Sequence, residues 1–272
     1  MYYYIVDPQK ISQREFERVQ NLLYSSLSEY RVSGEIVRST GLRTINQLVE
    51  NAFAHRAKTI VAVGSDDTLH DVINAVKGRE ITIGFIPIFD TEISQNLGIK
   101  NIPHAAKTIG ARRLEEFDLG LINQNYFLSK LMFGLGSQSA QGIAGMFNFS
   151  LIRSLFKLPE FEVKFAVDGQ YQASTKVVSG IITNNQTGDG AADIMLLPKF
   201  SKSKTFRYRQ AILAGNYREI PEASIIHANK IEISAPSGLP LRIGSRIIAR
   251  TPAVIEILPK ALKIIVSRDR KV

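Results

Sequence analysis

The residues best suited to chemistry lie in one run, Val61-Ala62-Val63-Gly64-Ser65-Asp66-Asp67-Thr68-Leu69-His70-Asp71-Val72-Ile73-Asn74. An apolar stretch enters a Gly-Ser-Asp-Asp-Thr turn and passes directly into a helical pattern. Where a buried parallel strand ends and a helix begins, backbone N–H groups and the positive end of the helix dipole make a ready phosphate site. Gly64 permits a tight turn or the close approach of a ligand. Asp66 can organise a cation or an attacking group, and Thr68 can hydrogen-bond a phosphate oxygen. The same two residues also suit the plainer task of capping the helix, and their spacing alone does not choose between the two.

The elements that would hold this turn are readable on either side. Tyr2–Val6 is β-rich and stops at Asp7-Pro8, and Ser12 with Glu15 three residues on forms a capping box that opens an amphipathic helix. Glu35–Arg38 is a weak strand, Thr44–His55 has helical spacing, and Thr59–Val63 is continuous enough to be buried on both faces. Asp67–Val76 is helical, Ile81–Ile86 is a strand and Asn101–Leu114 a helix. Such alternation predicts βαβ units and a parallel sheet. From Phe117 the runs become β-type and turn-separated, with one helical insert over Ser139–Leu158; the tail continues in strands at Lys230–Ser234, Leu239–Ile243, Ile247–Arg250, Ala253–Leu258 and Leu262–Ser267.

Composition limits the classes of function. The chain has 272 residues, no Cys and 44% hydrophobic residues, which excludes thiol catalysis, thiolate metal sites and a disulfide scaffold. The opening residues lack a signal-peptide pattern, and no apolar run approaches the ~20 residues that span a bilayer; the expected location is cytoplasmic. A net charge of +9 allows an anionic partner such as nucleic acid, acidic lipid or a phosphorylated ligand, and equally a basic but inert surface. His55, His70, His104 and His227 are dispersed, with no spacing that suits a metal. Ser137 and Ser139 follow no nucleophile-elbow pattern, and Thr187-Gly188-Asp189-Gly190 reads as a turn.

The Gly64–Thr68 turn resembles the Gly-Gly-Asp-Gly-Thr signature of the diacylglycerol kinase, sphingosine kinase and NAD kinase superfamily, and Asn74 occupies the place of the family's Asn after the Thr. Gly84-Phe85-Ile86-Pro87, Asn96-Leu97-Gly98-Ile99, Phe117-Asp118-Leu119-Gly120 with Tyr126-Phe127, Ile182-Thr183-Asn184-Asn185, Lys230–Ser234 and Ala253–Val266 resemble further segments of the diacylglycerol-kinase-like branch. The match runs in order along nearly the whole chain. It implies a Rossmann-like α/β domain with a parallel sheet over residues 1–116 and an antiparallel β-sandwich domain over 117–261. The last strand, about 262–272, would return to the first domain, with a lipid-binding cleft between the two. It also implies ATP and Mg2+ as cofactors and a lipid hydroxyl as phosphoryl acceptor.

On that resemblance, nucleotide contacts fall to Asp7, Pro8, Gly64, Ser65, Asp66, Asp67, Thr68 and Thr91, metal contacts to Asp66 and Asp67, and catalytic roles to Asp66 and Glu92. The departures cluster at the same places. Asp67 stands where the family has Gly, and a carboxylate beside phosphates is repulsive unless a cation bridges them. The Ser-Gly after the family's first Pro is missing, and Ile88-Phe89-Asp90-Thr91-Glu92 replaces a Gly-containing loop, with Phe89 expected to obstruct the phosphates. The family's Asp-Gly-Glu, whose Asp deprotonates the lipid, reads Ile243-Gly244-Ser245. Isoleucine cannot accept a proton. Two readings follow, a surviving ATP-dependent lipid kinase with a recruited acid and a non-catalytic lipid- or nucleotide-binding relative; an NAD kinase lacks its further motif.

Lys199, Lys202, Lys204, Arg207 and Arg209 with Phe200, Phe206 and Tyr208 form a basic–aromatic cluster. On the residues it suits an acidic membrane surface, a single-stranded nucleic acid or a solvated strand-loop-strand face. The lipid family makes the inner membrane face the expected partner and nucleic acid the weaker one.

Overall fold

A computed structural model describes residues 1–9, 11–134, 155–184, 189–236 and 238–270. Ser137, most of the Ser139–Leu158 insert, and Asn185 through Gly188 lie outside the described residues. The chain divides into two compact units, Met1–Phe117 with Lys260–Val272, and Asp118–Pro259.

In the first unit four strands, β1 (Tyr2–Val6), β2 (Gly34–Arg38), β3 (Thr59–Gly64) and β4 (Thr82–Pro87), lie parallel in the order β2-β1-β3-β4. Every residue of β3 and β4 is buried, which is why these runs are apolar throughout rather than alternating. The C-terminal end of the strand Ala253–Ile265 extends the parallel set, Ile264 pairing with Ile83. Helices α1 (Gln13–Glu29), α2 (Ile45–Ala54), α3 (Asp66–Val76), α4 (Glu92–Asn96) and α5 (Ile102–Ala111) connect these strands, α1 packing on α5 and α2 on α3.

Local chemistry sets their starts. Glu15 N donates to Ser12 Oγ and Ser12 N to Glu15 Oε2, closing the capping box expected at α1. Thr44 and Gln47 repeat it at α2, and Asn101 caps α5. The helix expected over Asn101–Leu114 is shorter, because Arg112 turns into the left-handed region and Leu114 already belongs to the strand Leu114–Ile122.

The second unit is a β-sandwich. One antiparallel sheet of six strands runs in the order Ser224–Ala228, Ala192–Leu197, Ser179–Asn184, Lys130–Gly134, Pro240–Ile243, Arg246–Arg250. In the other layer Lys230–Ser234 pairs with Phe161–Val167 and with Ala253–Glu256, and Phe161–Val167 pairs with Tyr171–Val177. Between the layers sits a core that includes Phe127, Leu131, Phe133, Val163, Ile194, Ile231, Leu241, Ile243 and Ile255. Each such side chain contributes roughly 1.5–3 kcal/mol by leaving water. A second cluster, containing Met132, Ile181, Met195, Leu197, Ile212 and Tyr217, covers the opposite face of the six-stranded sheet.

Among the described residues no helix is long and apolar enough to cross a membrane.

Candidate functional site

The turn after β3 is built around Thr68. Its side chain is 1% exposed. The hydroxyl donates to Asp7 Oδ2 at 3.1 Å and accepts from Ser65 N at 3.2 Å. Asp7 Oδ1 accepts from Ser39 Oγ at 2.8 Å and from Gln9 N at 3.3 Å. The ends of three parallel strands, β1, β2 and β3, are thereby laced together by side chains: Asp7 follows β1, Ser39 follows β2, and Ser65–Thr68 follows β3. Backbone bonds reinforce the lacing, Asp7 N donating to Val63 O and Ser39 N to Val6 O, both at 2.9 Å.

Gly64 is required by the same packing. A Cβ there would lie 2.4 Å from Thr68 Oγ1 and 2.9 Å from Thr68 Cβ. Its missing side chain makes room for Thr68. The Thr68 hydroxyl faces inward, toward Asp7 and Ser65. Asp66 and Asp67 open α3, both half-buried, so two carboxylates occupy the first turn of the helix whose dipole would attract phosphate.

The second loop is also closed on itself. Thr91 N-caps α4, accepting from Ser94 N at 3.1 Å, while Thr91 N donates to Ser94 Oγ at 2.9 Å. Asp90 accepts from Ser94 Oγ and Gln95 Nε2. Glu92 is exposed at the head of α4. Phe89, 43% exposed, lines a groove with Ile11, Val19, Leu22, Ile88 and Ile102, alongside α1 and the start of α5.

The polar residues of the two loops thus fall into two sets: Asp7, Ser39, Ser65 and Thr68 are joined by hydrogen bonds, while Thr91, Ser94 and Asp90 form a separate cap. Pro8 follows Asp7 half-buried. Ser39 escaped the sequence reading; its only signal is a small polar residue directly after a β-run, a pattern shared with many strand ends. Among the described residues no three His, Asp or Glu side chains gather as a cation site. Asp66 and Asp67 place two carboxylates side by side in the first turn of α3.

In the second unit the Ile243-Gly244-Ser245 segment forms a hairpin turn between Pro240–Ile243 and Arg246–Arg250, with Gly244 at φ +54°. Ile243 is 8% exposed and belongs to the sandwich core. Arg242 donates to Ser245 O at 2.8 Å. The basic cluster is helical rather than a strand-loop-strand face: Lys202–Arg207 and Arg209–Ala214 are two short helices, α6 and α7. Lys199 pairs with Glu160 at 3.4 Å and Lys204 with Glu222 at 2.7 Å.

Residues 2–122 match the diacylglycerol kinase catalytic domain family. A diacylglycerol kinase of Mycobacterium tuberculosis is 22% identical over 250 residues, 80% of each chain. The crystal structure of a diacylglycerol kinase from Bacillus anthracis has a TM-score of 0.76, with 21% identity, over 98% of this chain and 97% of that one. An NAD kinase from Archaeoglobus fulgidus in complex with ATP shares the fold at TM-score 0.54 and 13% identity, over 99% of this chain and 95% of that one. The chain is thus similar to the diacylglycerol kinase catalytic domain family over residues 2–122, and to diacylglycerol kinases in fold over nearly its whole length.

Proposed function

We propose that this chain is a non-catalytic member of the lipid kinase family, one that binds lipid or nucleotide without transferring phosphate. The observation that carries the reading is Ile243. At the hairpin position where the family carries a general base, the side chain is apolar and packed into a core. A general base must stand within ~2.6–3.2 Å of the proton it removes, and this side chain holds no acceptor. The nucleotide turn supports the same reading. Thr68 is committed to Asp7 and Ser65, and two carboxylates stand where phosphoryl transfer needs charge neutralisation.

A second reading, ATP-dependent phosphorylation of a lipid hydroxyl, draws on the retained Asp66 at the head of α3 and on exposed Glu92. There Asp66 and Asp67 would share Mg2+ with the phosphates, Gly64, Ser65, Pro8 and Thr91 would border the nucleotide, and Glu92 would replace the lost acid. In either reading the fold's relation to the ATP-bound NAD kinase makes ATP the nucleotide to try first.

The test is phosphate transfer from ATP with Mg2+ to mixed diacylglycerol and long-chain-base substrates in neutral detergent micelles. It is run beside binding of a fluorescent diacylglycerol in the same micelles. The expected result is lipid binding with no phosphorylated product above background. Transfer that disappears in Asp66→Ala would establish the kinase reading instead.

A further inference from the structure

A single row of side chains crosses every strand of the six-stranded sheet of the second unit. Ile225 is paired with Met195, Met195 with Ile181, Ile181 with Met132, Met132 with Arg242, and Arg242 with Ile247. Residues directly opposite one another in a sheet point to the same face, so these six share the face away from the sandwich core. In the middle of the row Met132, Ile181 and Met195 are buried with Ile212 of α7, so the helix pair packs on this face. The ends are open: Ile225 is 48% exposed and Ile247 41%. Phe206 of α6 is 52% exposed.

Cations surround these apolar groups. Pro240, two residues from Arg242 on its strand, pairs with Arg250, which adds that guanidinium to the outward face. Among the described residues, carboxylates neutralise Lys199, Lys204 and Arg218, but no carboxylate pairs with Lys202, Arg207, Arg209, Arg242 or Arg250. Arg242 and Arg250 instead donate to backbone carbonyls, of Ser245 and Gly238, which fixes their stems and leaves their charge uncompensated. The uncompensated charge therefore comes from two elements far apart in sequence, α6–α7 and the 240–250 hairpin.

We infer that this face of the β-sandwich is the surface through which the protein docks on an acidic lipid membrane, the hairpin and the helix pair acting together. The inference rests on the lipid-family reading above and extends it to a named face. Separated aliphatic side chains among cations suit a headgroup layer, where Ile225 and Ile247 gain apolar contact and each cation near the surface contributes about 1 kcal/mol. They do not suit single-stranded nucleic acid, which needs open aromatic faces on which bases stack. The Phe206 ring is covered by the Arg209 guanidinium at 4.3 Å, and Tyr208 lies beside Arg207 at 5.6 Å and Phe200 at 6.0 Å.

The experiment is sedimentation of the full chain with vesicles of phosphatidylcholine alone and of phosphatidylcholine with about one-third phosphatidylglycerol, a fraction large enough to give a negative surface potential. The expected result is binding to acidic vesicles at least tenfold tighter than to neutral ones. Binding should weaken about tenfold in Lys202→Glu/Arg207→Glu and again, independently, in Arg242→Glu/Arg250→Glu. The milder Arg242→Gln/Arg250→Gln pair keeps donors for the two carbonyls and should lose severalfold; Lys58→Glu, an exposed charge change in the first unit, should lose no more than about twofold. Equal binding to both vesicles, wild-type binding by both hairpin variants, or tighter binding to an oligonucleotide than to acidic vesicles would each overturn the inference. Diacylglycerol binding in neutral micelles separates the two proposals. If it is present while vesicle binding fails, the docking face is wrong; if it is absent while acidic vesicles still bind, the lipid-substrate reading is wrong.

Discussion

The turn after β3 and the 240–250 hairpin both close a strand with a short polar-looking sequence, yet they use their polar groups in opposite ways. At the first, Asp7, Ser39, Ser65 and Thr68 face one another, and Gly64 exists to let Thr68 in. At the second, the residue between the strands that could have been an acid is core, and the charged residues face outward on backbone anchors. Two strand-closing turns of one chain thus direct their polar groups differently, inward onto one another in the first and outward from the sheet in the second.

The strongest way to break this comparison is to restore the acid. Ile243→Asp places a carboxylate in the sandwich core and should destabilise the chain by about 3 kcal/mol or more, read as a lowered urea midpoint. Ser245→Glu, exposed at the same turn, should change stability by no more than about 0.5 kcal/mol. Equal, small effects would mean that position 243 is open to solvent and still able to host a base.

The inward-facing turn predicts a smaller but coupled cost. Asp7→Ala leaves the buried Thr68 hydroxyl without its acceptor and should cost about 1–3 kcal/mol. Because Thr68→Val removes the other partner, the double variant should recover about 1 kcal/mol relative to additivity. A strictly additive cycle in chemical denaturation would mean that the two side chains act separately and are available to a ligand.

The smallest effect concerns the C-terminal tail, which ties the start of α5 within the first unit. His104 accepts from Lys100 N through Nδ1, and its Nε2 lies 3.7 Å from Asp269 Oδ2. Burial lowers the His104 pKa below its ordinary 6.5, outweighing the opposing pull of Asp269. The unfolded chain therefore takes up this proton first as pH falls, so stability should drop between about pH 6.5 and the lower folded value and be fully present above it. Melting temperature should fall slightly from pH 7 to pH 5, and His104→Gln should flatten that slope; an unchanged slope would locate the titration elsewhere.

Much of the architecture was legible because its signals are local. The Ser12–Glu15 box, the mostly apolar β3 and β4 and the strand at Lys230–Ser234 stand where the residues put them. Elements that depend on distant partners were not. Helices α6 and α7 have six residues each, too few for a period to declare itself, and owe their place to Thr205 and Ile212 being buried. Ala253–Leu258 and Leu262–Ser267 read as two strands because Pro259 interrupts the run, but the extended backbone continues from Ala253 to Ile265. Arg112 ends α5 in a left-handed conformation without the glycine that would have marked it.

By itself the sequence determined the order of α/β and β-rich parts and the strand-turn-helix around Gly64. Those follow from periodicity, capping and residue type, which are properties of neighbours along the chain. Tertiary structure alone decided that Thr68 faces Asp7 rather than solvent, that Ile243 is core, and that the hairpin arginines share a face with α6–α7. The direction of a side chain depends on which strands lie beside its own, and no pattern of nearby residues specifies that pairing.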